Sequence, residues 1–209
     1  MEIVFERTGT RRYAVEVRRA CGTVLRMDQA PGFDPWFPHD LQHLVVEEQL
    51  GLDHGIFGRV ARGGSASAFS TVEDGALAHK RAAMRRQRRL KRRDAVLAAG
   101  EPNHIARSER ATSVAWHDWL ANSDDPELRV RSFELADRVR STLARMDPDE
   151  RSALVAALPR MRRRIDEVAT QWSTTPIGGS ITITWAPLTA GTARGGRIGT
   201  ARGGRIGTA

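Results

Sequence analysis

One cysteine, Cys21, is all the chain has, which excludes an internal disulfide and any multi-cysteine zinc site. No uninterrupted apolar run approaches the roughly 18 residues of a membrane helix, and residues 1–6 (MEIVFE) lack the basic and apolar segments of a signal peptide. The expected location is accordingly the cytoplasm, with no membrane partner. Aromatic residues are sparse at 6%, and none falls between Phe69 and Trp116, a gap that bears on the basic stretch inside it. Length and composition otherwise fit one globular domain: 209 residues, 40% hydrophobic and 28% charged, can bury a substantial core. The net charge of +8 is local. Residues 80–93 hold nine Lys/Arg and no acid, the tail from Gly191 holds four Arg and no acid, and the rest of the chain is net acidic.

Apolar residues alternate with charged ones at Ile3 and Phe5, and the pattern returns over 13–18 and 23–27, with Gly9-Thr10 and Gly22 as breaks. That period of two predicts a three-stranded meander. A loop rich in proline and aromatics, residues 28–38, leads into a helix with Pro38 in its first turn and Gly51 closing it, and a short helix follows through Ile56, Phe57 and Val60. Helices are expected over 76–99 and 108–121. Asp125-Pro126 and Asp147-Pro148 then read as caps with proline in the first turn, opening the two arms of a C-terminal helical hairpin, and Pro159 should kink or interrupt the second arm. Residues 180–185 alternate cleanly and are expected to join the meander. The fold class is α+β: a small antiparallel sheet, built from the N-terminal meander and the C-terminal strand, packed with helices in one domain over 1–188. Residues 189–209 repeat the unit GTARGGRI and are expected to form a disordered Gly/Arg tail.

The helix after Pro38 carries the chemistry. At 3.6 residues per turn His39, Asp40, His43 and Glu47 fall within roughly 100° of arc, flanked on both sides by Leu and Val. Buried imidazoles and carboxylates need partners: each other, a metal or a substrate. Histidines at i and i+4 point the same way one turn apart, the spacing with which HExxH metalloproteases hold zinc, and Asp40 stands where those enzymes carry a general-base glutamate, one methylene shorter. His39 and His43 are therefore the predicted metal ligands, with Glu47 as a third ligand or as a group that orients His43, and Asp40 or Glu47 as base. His54, His79, His104 and His117 are further candidates that the sequence does not choose between. The expected ion is Zn2+, in a pocket walled by Phe33, Trp36 and Phe37. The plainer reading is a helix N-terminus with a dipole-favoured Asp40 and an i,i+4 His43–Glu47 pair.

The run Pro38-His39-Asp40-Leu41-x-His43-x-x-Val46-Glu47, continuing to Gly55-Ile56-Phe57-Gly58 and preceded by a β meander, resembles a family of small uncharacterised bacterial proteins. The likeness covers about the first third of the chain and implies no activity. A thinner likeness is to the ubiquinone-biosynthesis proteins that pair His-Asp-x-x-His with a glutamate twelve positions after the second histidine. It implies His39, Asp40 and His43 as zinc ligands, and Gly55 stands where that glutamate would be.

The second candidate is the basic helix. Arg81, Arg85, Arg88, Arg89 and Arg92 could neutralise several phosphates of a nucleic acid or meet another acidic partner, although no stacking aromatic and no known nucleic-acid-binding signature accompanies them; a solvated face is the plainer reading. The leading expectation is a divalent-metal site on the 39–47 helix, serving metal-assisted hydrolysis of a small-molecule substrate if the protein is an enzyme. The alternative is non-catalytic nucleic-acid or acidic-partner binding through residues 80–93.

Overall fold

The computed structural model describes residues 1–72, 77–100 and 103–187, without the side chains of 77–81 and 83. The expected repeat tail lies outside these residues. The architecture is α+β. Strands β1 (Glu2–Gly9), β2 (Arg12–Arg18) and β3 (Val24–Met27) form the meander, and β5 (Ser180–Thr184) pairs antiparallel with the free edge of β1. The two-residue strand β4 (Ser70–Thr71) completes the sheet in the order β4-β3-β2-β1-β5. It is too short for an alternating pattern, so no period announced it. Ile3, Phe5, Val15, Val17, Ile181 and Ile183 are buried on the sheet and share one core with Trp172 and Trp185.

The described residues form six helices: α1 (His39–Leu50), α2 (Ile56–Ala61), α3 (Leu77–Gly100), α4 (His104–Ala121), α5 (Pro126–Arg145) and α6 (Pro148–Ser173). Asp125 and Asp147 cap α5 and α6 as their sequence implies, Asp125 accepting the Glu127 N–H and Asp147 those of Asp149 and Glu150. The two helices follow one another through a short link, and α4 packs against both. α6 runs uninterrupted through Pro159. The proline is exposed, so the Val155 carbonyl that loses its N–H partner faces water. α4 begins four residues earlier than its pattern suggested, at His104, which moves Ser108 and Glu109 from the helix start into its second turn.

α1 is the central helix. It contacts α2, α4 and α6, and every residue from Asp40 to Glu48 is buried. Pro38 sits one position outside it, at the N-cap, and Gly51 ends it in the left-handed region at φ 63°. The preceding loop folds back so that the His39 N–H donates to the Gly32 carbonyl at 3.1 Å. Gly32 is at φ 75°, and a Cβ there would lie 2.7 Å from the His39 Cβ. Only glycine meets both conditions.

Candidate metal centre

His39 and His43 stack one turn apart on α1, their ring centroids 4.6 Å apart and the planes nearly perpendicular. The third member of the group comes from α4. Glu109 Oε1 lies 3.4 Å from His43 Nε2, and Glu109 Oε2 lies 3.8 Å from His39 Nε2. One ligand-type atom from each of the three residues fits within 4.8 Å of the others. Donors around a tetrahedral zinc at ~2.05 Å are roughly 3.3 Å apart, so the group sits slightly expanded relative to a coordination sphere. Its two faces differ. The His43 side chain is fully buried, whereas those of His39 and Glu109 are 45% and 52% exposed, which leaves one side open to solvent.

The other side of His43 is fixed. Its Nδ1 lies 2.8 Å from Ser108 Oγ and 3.3 Å from Thr112 Oγ1. Ser108 Oγ in turn donates to Glu47 Oε1 at 2.8 Å. With the serine proton committed to the carboxylate, Ser108 Oγ is left as acceptor, so His43 carries its proton on Nδ1. Nε2 is buried, makes no geometrically formed hydrogen bond and lies 3.4 Å from the Glu109 carboxylate: a neutral ring offers that side a lone pair, and a protonated ring forms an ion pair with Glu109. Burial and the neighbouring His43 ring push the His39 imidazole below its ordinary value, against the pull of Glu109 and Asp40. A hydrogen bond from the protonated form of the His43 ring, with the charge of both imidazoles, holds the Glu109 carboxyl low, against partial burial.

Glu47 is not in this group. Its carboxylate, fully buried, accepts from the backbone N–H groups of Ile56 at 2.6 Å, Phe57 at 2.8 Å and Gly58 at 3.2 Å, besides Ser108. It caps the N-terminus of α2 from outside that helix. A ligand or base role would require abandoning those donors, so the expected pairing with His43 takes the form of orientation through Ser108. Burial pushes the carboxyl up, opposed by His43 and these donors. Gly55 makes the arrangement fit, because a Cβ there would meet the Glu47 carboxyl carbon at 2.2 Å. A glutamate at that position, as in the ubiquinone-biosynthesis motif, has no room.

Asp40 also lies outside the group. Its Oδ2 meets the Tyr13 hydroxyl, which is 2.5 Å from the Pro31 carbonyl oxygen as well. Burial pushes the Asp40 carboxyl up, opposed by the hydrogen bond from Tyr13. Burial and the adjacent Asp40 also push the Tyr13 phenol up. Asp40 is therefore sealed between α1 and β2 instead of standing as a base at the open face.

The aromatic pocket does not form around the histidines. Phe37 is buried and stacks on Trp116, Phe33 leans on Trp172, and Trp36 lines a separate surface cavity with Trp119. The His54 ring packs against that of His104, 5.1 Å away, and does not join His39. Arg85, Arg88, Arg89 and Arg92 are exposed on α3, and the Arg81 side chain is outside the described residues. Sequence reasoning missed Ser108 and Glu109. They are more than 60 residues from His43, and neither type is unusual on a helix.

Compared with family models, with curated proteins and with solved structures, the chain finds no match. Among the described residues no helix is long and apolar enough to cross a membrane.

Proposed function

We propose that this protein is a divalent-metal protein, with zinc the leading ion, that holds its metal through His39, His43 and Glu109. Metal-assisted hydrolysis of a small-molecule substrate is the reaction class this arrangement suits. The observation that carries the reading is the convergence of one ligand atom each from His39, His43 and Glu109 within 4.8 Å, with His43 Nε2 fully buried and 3.4 Å from the Glu109 carboxylate. A neutral imidazole nitrogen and a carboxylate held face to face repel unless a cation, a metal ion or a proton, lies between them. Two imidazoles and one carboxylate are also the donor set of hydrolytic zinc sites that keep a position open, as well as of some iron(II) sites. A bound ion would supply Lewis acidity toward a carbonyl or phosphoryl oxygen. The chain's own contribution is to orient His43 through Ser108 and Glu47 and to leave the His39–Glu109 side open.

Elemental analysis of untagged protein purified without chelator tests this directly. One equivalent of zinc, lost in His43→Gln and in Glu109→Gln, is the expected result. Folded protein that carries no metal and takes up none from a zinc titration followed by calorimetry overturns the proposal, and stoichiometric iron in place of zinc overturns the choice of ion.

A further inference from the structure

We infer that α3 binds duplex DNA along its phosphate backbone. Every arginine and lysine from Arg85 to Arg93 is exposed. The buried positions of the same stretch, Leu90, Asp94 and Leu97, recur at spacings of four and three, so the helix is held to the body along one stripe and presents cations around the rest of its girth. Asp94, the one acid within α3, is turned inward, where it accepts from the Ser65 N–H, the Ser65 hydroxyl and the Ala66 N–H. Arg93 donates to the Arg62 carbonyl. No carboxylate among the described residues pairs with Arg85, Arg86, Arg88, Arg89, Lys91 or Arg92.

That pattern differs from an ordinary solvated helix face, where acids and bases interleave at i,i+4. Arg85/Arg89, Arg88/Arg92 and Arg89/Arg92 are like-charge neighbours at i,i+4 and i,i+3, each of which disfavours the helix. A polyanion lying along the helix removes that cost and gains charge-assisted contacts, for which guanidinium is well shaped toward phosphate. The helix itself selects among polyanions. At about 10–12 Å across it fits the roughly 12 Å major groove of B-form DNA, whereas the major groove of A-form RNA is too deep and narrow. Residues 77–100 include no aromatic to stack on unpaired bases.

Fluorescence anisotropy with the full chain and a labelled 20-base-pair DNA of mixed sequence, over 50–200 mM salt, tests the inference. Joint replacement Arg85→Gln, Arg88→Gln and Arg92→Gln should weaken binding at least tenfold at 100 mM salt and lower the slope of log K against log salt by about three. A second set, Arg86→Gln with Lys91→Gln, should act in the same direction, and circular dichroism checks that both sets fold. The tail arginines are controlled by Arg194→Gln, Arg197→Gln, Arg202→Gln and Arg205→Gln together, on which background the α3 changes should keep their effect. Unchanged affinity in the α3 variants, an effect that vanishes on the tail background, competition by poly-glutamate equal to that of DNA per charge, or equal or tighter binding of duplex RNA or single-stranded DNA each overturns it.

Discussion

Glu47 shows how far one side chain can organise a small protein. Its carboxylate joins three helices: it belongs to α1, satisfies the first backbone N–H groups of α2, and reaches Ser108 on α4. Glu47→Gln would turn an amide NH2 toward donors that need an acceptor. With the neutral side chain unable to serve them all, the loss should be about 2–3 kcal/mol, read as a lower urea midpoint at constant m. Gly55→Ala should cost a similar ~3 kcal/mol by driving a methyl group into the same carboxylate; a shift under 0.5 kcal/mol would show that the cap is not held as described. Ser108 serves structure and site together. Ser108→Ala removes the acceptor for His43 Nδ1–H and a donor to Glu47, so zinc affinity should fall 10- to 100-fold and stability by about 1–3 kcal/mol. Nitrogen-15 spectra of metal-free protein should show the wild-type His43 proton on Nδ1. An Nε2–H form there would disprove the relay independently of whether metal binds.

At the scale of elements, two contacts tie helices to their neighbours by opposite means. α3 is anchored by Asp94, whose Oδ1 takes two backbone N–H groups and whose Oδ2 takes the Ser65 hydroxyl. Asp94→Asn keeps an oxygen for the N–H pair, and the serine hydroxyl can turn to accept, so little should change. Asp94→Ala leaves all three unpaired, and hydrogen exchange should accelerate at least tenfold over residues 90–100 while β1 stays protected. The seam between α1 and α6 adds an ion pair to its apolar packing: Glu48 meets Arg164 at 3.3 Å, and burial nevertheless raises the Glu48 carboxyl above its ordinary value of 4.5. The folded state then binds more protons than the unfolded state between 4.5 and the raised value, so this group's contribution weakens as pH rises through that window. Urea unfolding of wild type against Glu48→Gln from pH 4.5 to 8 isolates it. The difference should move in favour of the glutamine variant as pH rises, and movement the other way would mean that Arg164 outweighs burial.

For the whole molecule, the closing contact is β5 on β1, which brings residues near both ends of the described chain into one sheet. The strands and caps behind that closure were legible in the sequence because they are local: alternation at Ile3, Phe5, Ile181 and Ile183, and Asp-Pro at two helix starts. The histidine pair was legible for the same reason, being set by the pitch of one helix. Glu109 was not, since nothing in a run of α4 residues reports which side will face His43 across more than 60 positions. The true role of Glu47 was hidden as well, because its partners are mainly backbone N–H groups, which every residue but proline has. The metal proposal joins what was legible to what was not, and this gives it a global signature. An ion held by His39, His43 and Glu109 would clamp α1 to α4, and α1 is packed against α2 and α6 as well. Binding to the folded chain alone adds stability of about 2.7 kcal/mol when free zinc is a hundred times Kd, worth roughly 5–10 °C in Tm for a chain of this size. Zinc added to chelator-stripped protein should raise Tm by that amount, EDTA should reverse it, and His43→Gln should show neither effect. If stripped wild-type protein melts at the same temperature with and without zinc, while Ser108→Ala and Glu47→Gln are destabilised as expected, the polar network is a structural core and the metal reading fails.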